Sequence, residues 1–536
     1  VRADARRLLG AAAVLGAGFV GALLVGGRAS LPRADFAFCN QDEISSLDPA
    51  IATGVPEARV LGGLFEGLTR PDPKTGEALP GMATSWECAP DGLTWRFTIR
   101  KDSAWTDGER VTAHDFDYSL RRFLHPATAA PYAYLLWFIQ GAESYTGSAQ
   151  PDEASLGIEA PSDTELVLRL ARPCAYLPRL LAYYPLAPVK RSCVERWGAA
   201  WIATEHIVTN GPFRLVERRV RDRLRLARFD GYWGRAEVAL DTVDAYAAGG
   251  ITTQLNMYLT GLVDWMIKPP PGLYDAVLPR PDAHVGAQSG VTFFRFNVER
   301  PPFDDRRVRT AFLLALDRDG IARDVMRGGE QGSRSFVPQG LPDYVAAALA
   351  PHDPVRARAL LAEAGFPGGA GFPSFEVLYP NNEVTRDFCE ACAAQWRDEL
   401  GVQPRLANQA WKVYLDSQRE LRYDVSWGAW IADYLDVGTF LELFQSGSGN
   451  NRTGWSDPAY DELVAQAGAC PDAAQRAALF RRAEERLLDE LPIAPVYQRI
   501  NLNLVAPRVR GFSDNLLDVH PLRDLSVDGP PVGPGP

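Results

Sequence analysis

The chain has 536 residues, 46% hydrophobic and 23% charged, a composition that argues against intrinsic disorder and supplies enough apolar surface for a sizeable core. Its 56 Lys and Arg against 67 Asp and Glu give a net charge of −11. With no basic block beyond short pairs such as Arg121-Arg122, nucleic acid is argued against as a partner, because phosphate binding needs a basic stripe. A prior of about one domain per 150 residues suggests roughly three domains.

The N-terminal segment differs in kind from the rest. Arg2, Arg6 and Arg7 precede an uncharged apolar run from Leu8 to Val25. This pattern predicts that residues 1–34 are an export signal, either cleaved or kept as a membrane anchor. Everything after about residue 35 is then expected to be soluble and extracytoplasmic, in the periplasm or on the outer face of the membrane. Seven cysteines in such a protein permit disulfides and leave one unpaired.

Further along, "LTWRFTIR", "TELVLRL" and "RLRLARF" alternate apolar and polar residues with the period of half-buried strands. Helices are marked by their caps. "TAHDFDYSLRRFL" opens with the capping-box pair Thr112 and Asp115; "DPVRARALLAEAGF" has Asp353 before Pro354 and Gly365 past its end. "SDPAYDELVAQAG" and "DAAQRAALFRRAEERLLDELP" repeat the logic, so the chain is mixed α/β. "IKPPPG" and "VERPPFDD" are candidate linkers, "GFPGGAGFP" a helix-to-strand loop, and the terminal "DGPPVGPGP" a disordered tail. Within the amphipathic helix "RDFCEACAAQWRDEL", Cys389 and Cys392 have a metal-like spacing but no second pair of ligands nearby. They are expected to be buried thiols or a strained local disulfide.

Catalytic patterns are missing from the sequence. Six scattered histidines form no His-x-x-x-His pair, and there is neither a Gly-x-Ser-x-Gly elbow nor a phosphate loop. The glycine-rich "SGSGNNRTG" reads as a loop, and Asp304-Asp305 as helix-capping residues. No cofactor is called for, and the weight shifts toward a protein that binds. One carboxylate stands apart: Asp433, in the apolar and aromatic stretch "GAWIADYLDVGTF". Burying an unpaired carboxylate costs several kcal/mol, so such a group is solvated, paired, or waiting for a cation from elsewhere.

An ordered set of segments carries a family resemblance. It runs from "SLDPAIATGVPEA" and "LFEGLTRPDPKTGEALPGMATSWE" through "WTDGERVTAHDF", "TNGPF" and "FNVERPPFDDRRVRTAFLLALDRDGI" to "WIADYLDVGTFL" and "PIAPVY". In this the chain resembles the extracytoplasmic solute-binding proteins of ATP-driven importers, in the branch that carries oligopeptides, dipeptides and nickel, and its oligopeptide-binding members above all. The resemblance implies an α/β fold of type II with two lobes closing on a hinged ligand cleft and an extra inserted domain. Lobe I would combine 35–65, 190–289 and 499–536; the inserted domain would be 66–189 and lobe II 290–498. It implies a monomer that binds an oligopeptide and delivers it to an ABC permease in the cytoplasmic membrane, without covalent chemistry.

Residue roles follow from the same resemblance. Asp433 would pair with the ammonium of the peptide, and Tyr132 and Trp430 would wall its side-chain pockets. The backbone at Gly54 and Val55 would add to the peptide like a neighbouring strand. The positions expected to hold basic partners for the peptide's C-terminal carboxylate are instead Gln418, Trp427 and Thr385, with Arg419 and Arg386 one residue away, where a single-residue slip turns a strand side chain to the other face. The ligand is therefore longer than usual, capped, or not a simple linear peptide, unless a shifted arginine substitutes. Alternatives are a peptide-sensing receptor, a receptor for nickel, haem or a modified peptide, and an exported hydrolase.

Overall fold

The computed structural model describes residues 32–529 apart from residue 42. All but the last three residues of the expected export segment 1–34, and all but the first two residues of the Pro/Gly-rich tail, lie outside the described residues. Among those described, no helix is long and apolar enough to cross a membrane.

The alternating segments form strands as their period requires. Thr94–Ile99 turns Trp95, Phe97 and Ile99 inward and pairs on one side with Ala83–Cys88 and on the other with Glu165–Arg169. With Ile158–Ser162 these make a four-stranded antiparallel sheet. Its core is continuous with that of the N-terminal lobe, joining Phe97 and Leu168 to Phe36, Leu226 and Trp265. The helix Ala113–Leu124 begins at Thr112, whose reciprocal hydrogen bonds with Asp115 complete the capping box. Asp353, Asp457 and Asp472 cap the three helices read from their aspartates, and Gly365, at φ +100°, follows the first of them.

A larger sheet of eleven strands runs through the molecule. Two long strands, Ala283–Phe296 and Ile493–Val505, pair antiparallel at its centre. Beyond one of them lie Trp265–Ile267, Phe36–Cys39, Thr242–Tyr246, Arg223–Arg228 and Phe213–Arg219; beyond the other lie Val425–Ile431, Phe375–Pro380 and Pro404–Gln409. The central pair therefore belongs to both halves. Its register runs from Ala283 opposite Leu504 to Ala287 opposite Ile500, breaks, and resumes at Val291 opposite Gln498. The break sets Gln288, Ser289 and Gly290 against Arg499, and a bulge of this kind bends and twists the strands that carry it.

The second half has its own core, in which Phe294 packs on Phe388 and Trp396 at 5.4 and 4.9 Å. Those two side chains come from the helix Glu383–Leu400, which also buries Cys389 and Cys392. All seven cysteines are free thiols, so of the two expectations for Cys389 and Cys392 the thiols hold. Burial pushes both thiols far above their ordinary range.

Candidate functional site

Between the two halves lies a cavity of about 430 Å3. Tyr132 and Tyr134 approach from the 66–189 region, Trp427, Ala429, Trp430 and Ile431 come from the strand Val425–Ile431, and Asp433 follows just past its end; Arg499 completes the lining from the second central strand. Strand periodicity explains part of this set. Trp427, Ala429 and Ile431 alternate along one strand, while the indole of Trp430 is fixed by its N–H, which donates to the Thr439 hydroxyl at 3.3 Å.

Asp433 has no hydrogen-bond or ion-pair partner among the described residues. Burial raises its pKa from the ordinary 3.8 to about 6. The hydroxyls of Tyr134 and Tyr183 are pushed up as well, first by burial and then by the Asp433 charge. The contrast with Asp436, three residues on, is instructive: that carboxylate is clamped by both ends of the Arg476 guanidinium at 2.7 Å. Asp433 faces aromatic rings and open space.

The loop that carries Asp433 also joins the two halves. Tyr434 stacks on Tyr176 with ring centroids 5.1 Å apart and planes 12° from parallel. The Leu435 carbonyl accepts from Arg179 at 3.4 Å, and the Leu435 side chain lies over Gly76 so closely that an added Cβ there would sit 2.1 Å from its Cδ1. Tyr176, Arg179 and Gly76 therefore form an interlobe latch beside the cavity.

Four of the residues expected from the sequence, Asp433, Trp430, Trp427 and Tyr132, meet in this one cavity. Gly54, Val55, Thr385 and Arg419 do not line it. Gly54, at φ +114°, is the residue before the helix Val55–Leu64, and Val55 is the first residue of that helix. A chain of rings links that segment to the cavity. The Tyr184 hydroxyl donates to the Ala52 carbonyl at 3.1 Å; its ring meets Tyr183 at 4.9 Å, and Tyr183 meets Tyr132 at 5.6 Å. Thr385 is buried in the first turn of the helix Glu383–Leu400, and Arg419 is exposed and pairs with Asp416 at 3.0 Å.

Gln418, where a basic side chain was expected, is buried and holds one in place. Its amide N–H donates to the Tyr414 and Ser426 hydroxyls at 2.7 and 2.9 Å, and its oxygen accepts from Arg452 at 3.1 Å. Beside it Arg295 occupies the space over Gly428, where a Cβ would lie 2.2 Å from Nη1. The Nε atoms of Arg295 and Arg452 are both buried without partners. Sequence reasoning missed Tyr134, Ala429, Ile431 and Arg499. Ala429 and Ile431 alternate with Trp427 along the strand and were accessible to a periodicity argument; Tyr134 sits in the short 3-10 helix Ala133–Leu136 and Arg499 comes from a distant strand, and neither left such a signal.

A family model described as bacterial extracellular solute-binding proteins, family 5, matches residues 77–452. Over 489 residues the chain is 34% identical to the periplasmic oligopeptide-binding protein OppA of Salmonella typhimurium, covering 88% of this chain and 89% of that one. It is 33% identical to the periplasmic murein peptide-binding protein MppA of Escherichia coli, covering 89% of each. Among solved structures, Haemophilus influenzae OppA in complex with RPPGFSPFR aligns with a TM-score of 0.77 at 33% identity, over 92% of this chain and 99% of that one.

Proposed function

The chain belongs to the bacterial extracellular solute-binding proteins of family 5, and from that premise we propose that it is the extracytoplasmic receptor of an ABC-type importer, binding oligopeptides in its interlobe cleft. The relatives named above are binding proteins, and the cavity's aromatic walls, one carboxylate and one guanidinium support recognition of a ligand. The observation that carries the reading is Asp433, an unpartnered carboxylate with its pKa raised by burial, waiting in an aromatic cavity between two lobes. A peptide ammonium supplies its missing counter-charge, and such a charge-assisted bond gains strength when closure excludes water.

In this reading Tyr132, Trp427 and Trp430 hold the side chains nearest the amino end. The backbone at Gly54 pairs with the ligand main chain. Arg452, presented by Gln418, takes over as the cation at the far end. The lobes divide as 35–65, 190–289 and 499–536 against 290–498, with 66–189 inserted. The register break at Gln288–Gly290 opposite Arg499 supports hinge positions at those boundaries. Closure is a population shift driven by a ligand that bridges both lobes, and the closed monomer presents itself to a membrane permease.

Purification of the soluble part from its host, followed by native mass spectrometry and sequencing of released ligands, tests the proposal. Short peptides with free amino termini are expected, and Asp433→Ala should abolish them. A protein that shows no thermal shift with a peptide library, or that carries a metal or a solute without an amine, would refute it.

A further inference from the structure

The cleft holds more positive charge than the peptide-receptor reading uses. Arg499 lines the same cavity as Asp433, and its Nε donates only to Gln288, at 3.2 Å. Lys268 feels the charge of Arg499 and of a third cation, Arg59. Lys268 follows the strand Trp265–Ile267 at a left-handed φ of +52°, and its backbone N–H is held by the Leu502 carbonyl at 2.8 Å. Arg59 lies over the Trp265 ring at 5.3 Å, with Nε and Nη1 buried and unpartnered. None of the three has an ion-pair partner among the described residues.

The neighbouring carboxylates, Asp518 and Glu330, offset this charge in part and are also engaged by other groups. Asp518 accepts from Asn503 at 2.9 Å and sits 3.0 Å from the His520 ring nitrogen; Glu330 accepts from the Gly328 N–H at 2.8 Å. Burial lowers Lys268 to about 8, with Arg499 and Arg59 adding to the effect and Asp518 and Glu330 opposing it. Burial also lowers Arg59 to about 10. Desolvated cations are expensive, and Arg499, the one of the three that lines the cavity, is where a ligand can supply charge beyond what Asp518 and Glu330 offset.

Resting on the peptide-receptor reading, we propose that Arg499, backed by Lys268 and Arg59, binds a carboxylate side chain in the first or second residue of the peptide, so that the receptor selects ligands that are acidic near their amino end. Geometry limits the position. A cavity of this volume is roughly 9 Å across, and an extended peptide advances ~3.5 Å per residue, so an anion at Arg499 belongs to a residue at or next to the ammonium held by Asp433. The same chemistry could come from the C-terminal carboxylate of a dipeptide, and the test separates the two.

The test is calorimetric titration of the soluble chain with the pentapeptides Ala-Glu-Ala-Ala-Ala and Ala-Gln-Ala-Ala-Ala, the corresponding pair varied at the first residue, and Ala-Ala with and without a C-terminal amide. The acidic member of at least one pentapeptide pair should bind at least tenfold more tightly. Arg499→Gln should bring that ratio to within twofold, and Arg499→Lys should restore part of the preference. Lys268→Met should reduce the ratio in the same direction. Equal binding of both members of each pentapeptide pair overturns the inference alone, as does a preference that survives Arg499→Gln or one confined to Ala-Ala over its amide. A protein that binds no peptide in any form overturns the peptide-receptor reading itself.

Discussion

At Asp433 the same burial that prepares the site also penalises the empty protein. Its pKa rises from 3.8 to about 6, so between those values the folded chain keeps a proton that the unfolded chain has released. The associated stability is complete below about 3.8 and is lost as pH rises through about 6, a difference of up to ~3 kcal/mol. Asp433→Asn should therefore flatten the pH dependence of the melting temperature over that interval and stabilise the unliganded protein at pH 7, as read by calorimetry. Ligand affinity should run the other way. Only the ionised carboxylate pairs with an ammonium, so peptide binding to the natural protein should weaken by up to about tenfold per unit as pH falls below about 6. The oddity of Asp433 was legible from its apolar neighbours alone. The cations were not, because Arg59, Lys268 and Arg499 belong to three separate segments, and no spacing rule connects residues that meet only when a sheet has formed.

Among elements, the loop after Val425–Ile431 has two duties. Asp433 lines the cavity, while Tyr434 and Leu435 touch Tyr176 and Arg179 of the 66–189 region and Asp436 is held by Arg476 of its own half. Loss of the Tyr176–Tyr434 stack, a contact of about 0.5–1.5 kcal/mol beyond its buried area, should speed ligand dissociation several-fold in Tyr176→Ala without altering which peptides are preferred. Stopped-flow displacement reads the rate, and an unchanged dissociation rate would remove the latch from the mechanism. Helices and short strands were readable here because caps and alternation are local: Thr112 with Asp115, Asp353 with Gly365, and Trp95 with Phe97 each announce an element within a few residues. The long strand Ile493–Val505 was not, apart from its "PIAPVY" start. Its thirteen residues change partners along their length, so no single alternation describes them.

For the whole molecule, two separate cores mean that two cooperative units share one sheet. The cysteines report on both. Five of the seven are buried, Cys88 is exposed and Cys470 partly so. A thiol reagent should label Cys88 promptly and Cys470 more slowly, with Cys39, Cys174, Cys193, Cys389 and Cys392 reacting only on unfolding. Reductant should leave the melting temperature unchanged, and a shift on reduction would contradict the free-thiol state. Composition suggested roughly three domains, but it could not show that two continuous strands run through both halves of one sheet.

That placement also limits how the molecule can be taken apart. The strands Ala283–Phe296 and Ile493–Val505 each serve both halves, so a cut at the register break would leave each fragment with two severed strands and bare backbone N–H and C=O groups along a raw sheet edge. New chain ends are better tolerated at the loop 446–454, which lies outside every strand. On the proposed division both strands are shared, so neither lobe is expected to fold when expressed alone.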